Sequence, residues 1–223
     1  MGLLIDMKKP NIVHIEAIKR VNEENTKLNE KEIAKLPAKI EMAYSIQFKE
    51  IAREIKKKIE LKGIKVLGFY QVLGCTRIKN SNNKLNLAIL LIGSGKFHAL
   101  NIGLQRENVY IYSNGIIEKI KSEEVERLKQ QKKAKIVGFL SSKRIGIIIS
   151  TKPGQEKLKL AERLAERIRR KYKDKKTYLF ISNNIDVNGL ENFEIDFWIN
   201  TACPRLQEDS SKVISVDEIQ DFL

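Results

Sequence analysis

Two cysteines, two histidines and three short glycine- or proline-bearing loops are the chemistry-bearing features of this 223-residue chain. Cys75 and Cys203 stand 128 positions apart, each just past an apolar run that reads as a β-strand. That spacing is neither a secreted disulfide framework nor a closed four-cysteine zinc site, so any metal held by them needs ligands from elsewhere. The loops are Gly93-Ser94-Gly95-Lys96-Phe97-His98, Ser150-Thr151-Lys152-Pro153-Gly154-Gln155 and Thr201-Ala202-Cys203-Pro204-Arg205. In an open parallel sheet, ligands bind beyond the carboxyl ends of the strands, where loops enter helices with free N–H groups. Taken singly, each feature has an ordinary reading. Gly93 to Lys96 is not a phosphate loop, because Leu90 replaces the earlier glycine and Phe97 the Ser or Thr that would hold magnesium. Paired glycines serve tight turns, Lys152 beside Pro153-Gly154 suits a solvated loop, and lone cysteines pack as small hydrophobes. His14 reads as structural, and His98 is a lone histidine with no orienting carboxylate assigned to it.

The elements that must position these residues alternate short β-rich runs with amphipathic helices, which predicts an α/β fold built from parallel βαβ units. Strands are expected at Lys39–Ser45, Lys65–Val72, Leu87–Ile92 and Asn108–Tyr112, with a helix over Phe48–Leu61 stopped by Gly63 and another opened by Ser122. A second set follows: strands at Arg144–Ser150, Thr177–Ser182, Ile195–Asn200 and Lys212–Ser215. A helix over Gln155–Tyr172 carries a stripe of Leu158, Ala161, Leu164, Ala165, Ile168 and Tyr172. KIEMAYSIQF parallels RIGIIISTKPGQ 105 positions later, and LAILLIGSG parallels IDFWINTAC 108 positions later. The expectation is a duplicated four-stranded parallel-sheet unit, residues 39–135 and 136–223. Residues 1–38 are a polar connector with one isolated strand at Asn11–Ile18 and a helical turn near Asn29–Leu36.

Composition narrows the class. Hydrophobic residues make up 42% of the chain and charged residues 31%, enough for collapse, and the longest nearly uncharged apolar stretch, Leu85 to Gly93, is far too short to span a bilayer. The N-terminus reads MGLLIDMKKP, with Asp6 inside its apolar run and no small-residue cleavage site, so a cytoplasmic protein is expected. A net charge of +14 favours encounter with RNA or an acidic protein. The basic residues, however, lie along helical faces without interleaved aromatics, which makes nucleic-acid binding the lesser reading.

In combination the motifs are more specific. YQVLGCT, IGSGKFHAL, ISTKPGQEK and WINTACPRL, in that order, resemble the diphthamide synthase family, the 2-(3-amino-3-carboxypropyl)histidine synthases of archaea and eukaryotes, from about Lys39 to the C-terminus. The resemblance implies three similar α/β domains, each giving one cysteine to a shared 4Fe-4S cluster whose open iron takes S-adenosylmethionine. It also implies radical transfer of a 3-amino-3-carboxypropyl group to a histidine of translation elongation factor 2. By motif, Cys75 and Cys203 would be two of the three cluster ligands, with Gly93, Ser94, Gly95, Lys96 and His98, and Thr151, Lys152, Gly154 and Gln155, in loops that contact substrate. Nearly all of the family's first domain, with its cysteine, has no counterpart here. The third ligand is then expected from a separate polypeptide, which the isolated strand favours, or from a second copy; otherwise the chain is a non-catalytic accessory subunit.

Overall fold

The computed structural model describes residues 17–73, 76, 78 and 87–223. Two single-turn helices lead in, α1 (Glu23–Thr26) and α2 (Glu30–Ile33), each capped by an asparagine. The first sheet follows as β1 (Lys39–Tyr44), α3 (Lys49–Leu61), β2 (Lys65–Gln71), β3 (Ala88–Ile92), α4 (Phe97–Gly103), β4 (Val109–Ser113) and β5 (Ile116–Lys119). A long helix α5 (Ser122–Ser141) leads to β6 (Arg144–Ser150), α6 (Leu158–Lys171), β7 (Lys176–Ser182), β8 (Phe197–Asn200) and β9 (Val213–Ser215).

The strand orders are β2-β1-β3-β4-β5 and β7-β6-β8-β9. Apart from β5 they are the same permutation with all strands parallel, so the expected α/β duplication is present in the topology. The first sheet carries one strand more than expected. β5 is antiparallel to β4, joined by a tight turn in which Asn114 (φ 46°) and Gly115 (φ 90°) are both left-handed, the hairpin geometry that an Asn-Gly pair favours.

Each sheet is covered on both faces, which is why β3 is apolar and buried along its whole length. Residues alternate across the sheet plane. On one face Ile40, Met42, Leu90 and Ile92 pack under Ile51, Ile55 and Ile59 of α3, whose four-residue spacing forms one buried stripe. On the other, Ala43, Ile89, Leu91 and Ile111 meet Ala99 and Ile102 of α4. The second unit repeats the first arrangement, with Ala161, Leu164, Ala165 and Ile168 of α6 over Ile145, Ile147 and Ile149. Leu158, expected in that stripe, is exposed, because α6 begins only at Leu158 after the loop containing Pro153 and Gly154.

Two further differences concern the ends of the units. The connector is not a bare linker: Ile33 and Leu36 join the first core, Glu32 accepts the Ile117 N–H at 2.6 Å, and the Tyr112 hydroxyl donates to the carbonyls of Asn25 and Lys27. Residues 25–36 thereby clasp the β4–β5 hairpin. The strand expected at Asn11–Ile18 falls outside the described residues except for Ala17 and Ile18, which are not in a strand. Helix α5 runs unbroken past position 135, with Val125 packed against the first unit and Phe139 buried in the second. At its end the buried Lys175 ammonium donates to the carbonyls of Phe139, Leu140 and Ser142, capping the helix where its dipole favours a cation.

Candidate functional site

The carboxyl ends of the strands present the expected loops. After β3, Gly93 is buried against Ser45, Gly95 takes φ +72°, and the chain turns into α4. Gly95 therefore serves the left-handed turn, whereas a Cβ at Gly93 would meet Ser45 only in ordinary contact, 3.7 Å from its Oγ. Lys96 is committed elsewhere: its ammonium lies 2.9 Å from both Glu118 and Glu124, which hold its pKa above the ordinary lysine value. The positive charge of Lys96 is thus balanced by two carboxylates, one from β5 and one from α5.

After β8, Thr201 donates its hydroxyl to the Ile148 carbonyl and Asn200 holds the next turn from both sides. Its Oδ1 accepts the Ala202 N–H at 2.9 Å and its Nδ2 donates to the Cys203 carbonyl at 2.7 Å. Asn200 is 1% exposed, so these groups have no water to replace it. Cys203 is half-buried and stands at the head of a short 3-10 turn over Pro204–Glu208. The loop after β6 carries Thr151, Lys152 and Gly154, all exposed, with Gln155 half-buried. Gly154 takes φ +77°, and the Gln155 N–H donates to the Lys152 carbonyl. β6 and β8 are adjacent, with Ile148 in register with Asn200, so this loop and the Cys203 loop leave neighbouring strand ends.

Cys75 lies outside the described residues, but its surroundings in sequence are held. Thr76 closes a turn with Leu73 in both directions, its N–H donating to the Leu73 carbonyl and its Oγ1 accepting the Leu73 N–H at 2.7 Å. Gln105, just beyond α4, fixes this stretch: its Oε1 accepts the Ile78 N–H at 2.9 Å and its Nε2 donates to the carbonyls of Thr76 and Asn101. Thr76, Asn101, Gln105, Pro204, Gln207 and Asp217 line one cleft of about 320 Å³ between the two units. Thr76 and Pro204, each of which follows a cysteine in the chain, border this common space. Gln105, Asn101, Gln207 and Asn200 were missed by sequence reasoning. Only Asn200, inside the WINTACPRL motif, had a signal that could have found it.

His98, on the first turn of α4, packs edge-on to Phe97 at 5.2 Å between centroids and lies within range of the charge of Arg205 on the Cys203 loop. Burial, and secondly the Arg205 charge, hold its pKa below the ordinary histidine value. It is therefore neutral at pH 7. A histidine whose folded pKa is depressed binds fewer protons than the unfolded chain, so it lowers stability as pH falls below about 6.5. Wild-type melting temperature is expected to fall between about pH 6.5 and pH 5, ahead of the carboxylates, and His98→Gln to flatten that limb. An unchanged limb in the variant would assign the effect to other groups.

Among the described residues, no group of three or more His, Cys, Asp or Glu side chains could hold a metal ion, and no helix is long and apolar enough to cross a membrane. Cys203 alone of the two expected thiolates is described. A thiolate is the donor that an iron–sulfur cluster takes, so its chemistry fits such a group, while the ligand set is not complete within the described residues.

Comparison with known proteins agrees with this layout. The family described as "Putative diphthamide synthesis protein" matches residues 3–218. The 2-(3-amino-3-carboxypropyl)histidine synthase of Pyrococcus horikoshii is 27% identical over 211 residues, covering 88% of this chain and 59% of that protein. Subunit 1 of the human synthase is 28% identical over 164 residues, covering 71% of this chain and 36% of the human one. The crystal structure of Dph2 from Pyrococcus horikoshii superimposes with a TM-score of 0.70 at 25% identity, covering 86% of this chain and 59% of that one. The structure of the same protein with a 4Fe-4S cluster gives a TM-score of 0.69. The chain thus spans about three-fifths of the Pyrococcus protein it matches. With the motifs, the duplicated sheets and the family match over nearly its whole length in accord, this chain belongs to the diphthamide synthesis family.

Proposed function

We propose that this chain is a component of the enzyme that transfers a 3-amino-3-carboxypropyl group from S-adenosylmethionine to a histidine of translation elongation factor 2. In this reading Cys75 and Cys203 are two of three thiolate ligands to a 4Fe-4S cluster. The observation that carries it is the shared cleft, which Thr76 and Pro204 border from opposite units. When bound, the cluster supplies the electron that opens the substrate's sulfonium bond and, with three thiolates, keeps one iron open to substrate.

The chain's own residues do the rest. Asn200 and Gln105 set the two cysteine loops through paired hydrogen bonds. His98, neutral beside Arg205, offers no second positive charge to a sulfonium, while the exposed Arg205 is a guanidinium suited to a carboxylate. Lys152 is an exposed ammonium on the loop beside the Cys203 turn, placed for the same task. Thr151, Gly154 and Gln155 shape that loop, and Gly93, Ser94 and Gly95 shape the opposite rim. The third thiolate comes from a partner, which we propose is a separate polypeptide carrying the family's remaining domain.

The test is anaerobic reconstitution with ferrous iron and sulfide, of this chain alone and mixed with the portion of the Pyrococcus protein that it does not span. Iron and sulfide bound per chain are expected to be highest in the mixture, with cluster absorption in the visible, and to be lost in Cys75→Ala and in Cys203→Ala. Absence of bound iron in both mixtures, or equal iron in the cysteine variants, would remove the cluster from this protein.

A further inference from the structure

α3 and α6 hold equivalent places, each following the first strand of its unit and packing on one face of that sheet, but they carry charge differently. On α3, Arg53 pairs with Glu50, Lys57 with Glu54 and Lys56 with Glu60, and Lys58 donates to the Thr26 carbonyl. Glu50 stands in its first turn and Lys58 in its last, the signs that the helix dipole favours at each end. Those charges serve the helix. α6 departs from this on both counts. Its first turn holds no acidic residue, and Lys157 and Lys159 stand at that end against the dipole. Among the described residues, no Lys or Arg of α6 pairs with an Asp or Glu side chain: Arg163 donates to the Lys159 carbonyl at 3.1 Å and Arg167 to the Leu223 carbonyl at 3.3 Å.

Lys159, Arg163, Arg167 and Arg170 are all exposed, at intervals of four, four and three residues. That spacing confines them to about 80° of the helix surface and draws them into a ridge about 16 Å long. Ala161, Leu164, Ala165 and Ile168 take the opposite side into the core. From Lys152 to Lys176 the chain carries eleven Lys and Arg against four Asp and Glu, a net +7 that is half of the protein's +14. The ridge begins just after the Thr151–Gln155 loop, so its upper end adjoins the strand ends from which the Cys203 turn also leaves.

A protein that brings a side chain to that rim rests on the surface beside it, and a fixed row of cations selects an acidic surface. Three of the four ridge residues are arginines, whose planar forks take carboxylates bidentately. A phosphate backbone suits the same forks, but the ridge offers no aromatic side chain on which bases could stack. Building on the function proposed above, we infer that the outer face of α6 is a docking surface for an acidic face of the protein acceptor, which lies along the ridge while its histidine reaches the rim. α3, whose cations are already tied, is the internal control.

Binding of fluorescently labelled elongation factor 2 to the intact chain tests this. Arg163→Glu with Arg170→Glu is expected to weaken the complex at least about tenfold, and Arg163→Gln with Arg170→Gln by less, because like charges repel where neutral groups only fail to attract. The glutamine variant stays informative if the glutamates disturb the helix. Raising salt from about 50 mM to about 300 mM should weaken wild type more than the glutamate variant. Arg53→Glu with Lys57→Glu on α3 changes the net charge by the same amount and should leave binding near wild type. Iron bound on reconstitution should be the same in every variant, so a chain that takes no iron counts against the function proposed above, whereas unchanged binding counts against the ridge. A wild type that does not bind the factor, ridge and α3 variants that lose binding equally, or a labelled single-stranded RNA held through Arg163 and Arg170 more tightly than the factor, would overturn the inference.

Discussion

Glu41→Ala is expected to destabilise the protein by about 3–5 kcal/mol, the usual loss when one member of a buried ion pair is removed. Glu41 sits in β1, an inner strand of the first sheet, 3% exposed, and its Oε2 lies 3.3 Å from Nη2 of Arg106, whose side chain is fully buried. The same oxygen accepts the Tyr70 hydroxyl at 3.3 Å, and burial, reinforced by the Glu41 charge, drives the Tyr70 pKa far upward. Among the described residues Nε and Nη1 of Arg106 have no hydrogen-bond partner, so replacing Glu41 takes away the one acceptor that these residues give the guanidinium. Thermal melting should show a drop on the order of 10 °C for a chain of this size. The double replacement Glu41→Leu with Arg106→Met should recover most of it, because the cost lies in stranding the charge and not in the absence of the pair. A Glu41→Ala variant melting within a degree or two of wild type would show that Arg106 finds another acceptor or water.

The pair also marks where sequence reasoning stops. The short apolar runs in KIEMAY and RIGIIIS and the four-residue spacing of Ile51, Ile55 and Ile59 follow from strands buried on both faces and from helix geometry, so the parallel strands, α3 and the repeat were legible. A glutamate within a strand reads as solvent-facing, and nothing local tells that α4 and the segment beyond it cover that face and bring a buried arginine. The β5 hairpin was legible and overlooked: Asn114-Gly115 between Val109–Ser113 and Ile116–Lys119 is a two-residue hairpin signal. The packing of the connector was hidden for another reason. Ile33 and Leu36 are two apolar residues in a polar run, and their burial depends on the hairpin that Glu32 and Lys35 grip.

For the site, motif identity gave the loops and little of their geometry. It placed Cys203, Gly93 to Lys96 and Thr151 to Gln155 at strand ends, which follows from parallel topology. It could not show that Lys96 turns toward Glu118 and Glu124, since those carboxylates come from elements 22 and 28 positions later. Nor could it show that the charge of Arg205, in one unit, bears on His98 in the other. Asparagine and glutamine carry no distinctive chemistry in sequence, and their importance here comes from being buried beside backbone groups that need partners.

That last point has a measurable consequence at Asn200. Its side chain satisfies one donor and one acceptor on either side of Cys203, in a place water does not reach. Leucine fills nearly the same volume but leaves the Ala202 N–H and the Cys203 carbonyl unpaired, which costs about 1–3 kcal/mol for each buried group and releases the loop from its single geometry. Aspartate keeps the acceptor for Ala202 yet sets a carboxylate oxygen against the Cys203 carbonyl, so it should do no better. If Cys203 ligates the cluster, Asn200 is a positioning residue for it, and outer partners of metal ligands typically govern affinity by about 10- to 100-fold. Iron retained by Asn200→Leu after reconstitution and chelator challenge should therefore fall at least about tenfold, with the fold intact by circular dichroism. Gln105→Ala, which loosens the Thr76 turn in the other unit, should show a parallel loss, whereas His98→Gln, which anchors neither cysteine loop, should retain iron. Equal retention in Asn200→Leu and wild type would mean that the Cys203 loop is held by the cluster itself and not by the strand end beneath it.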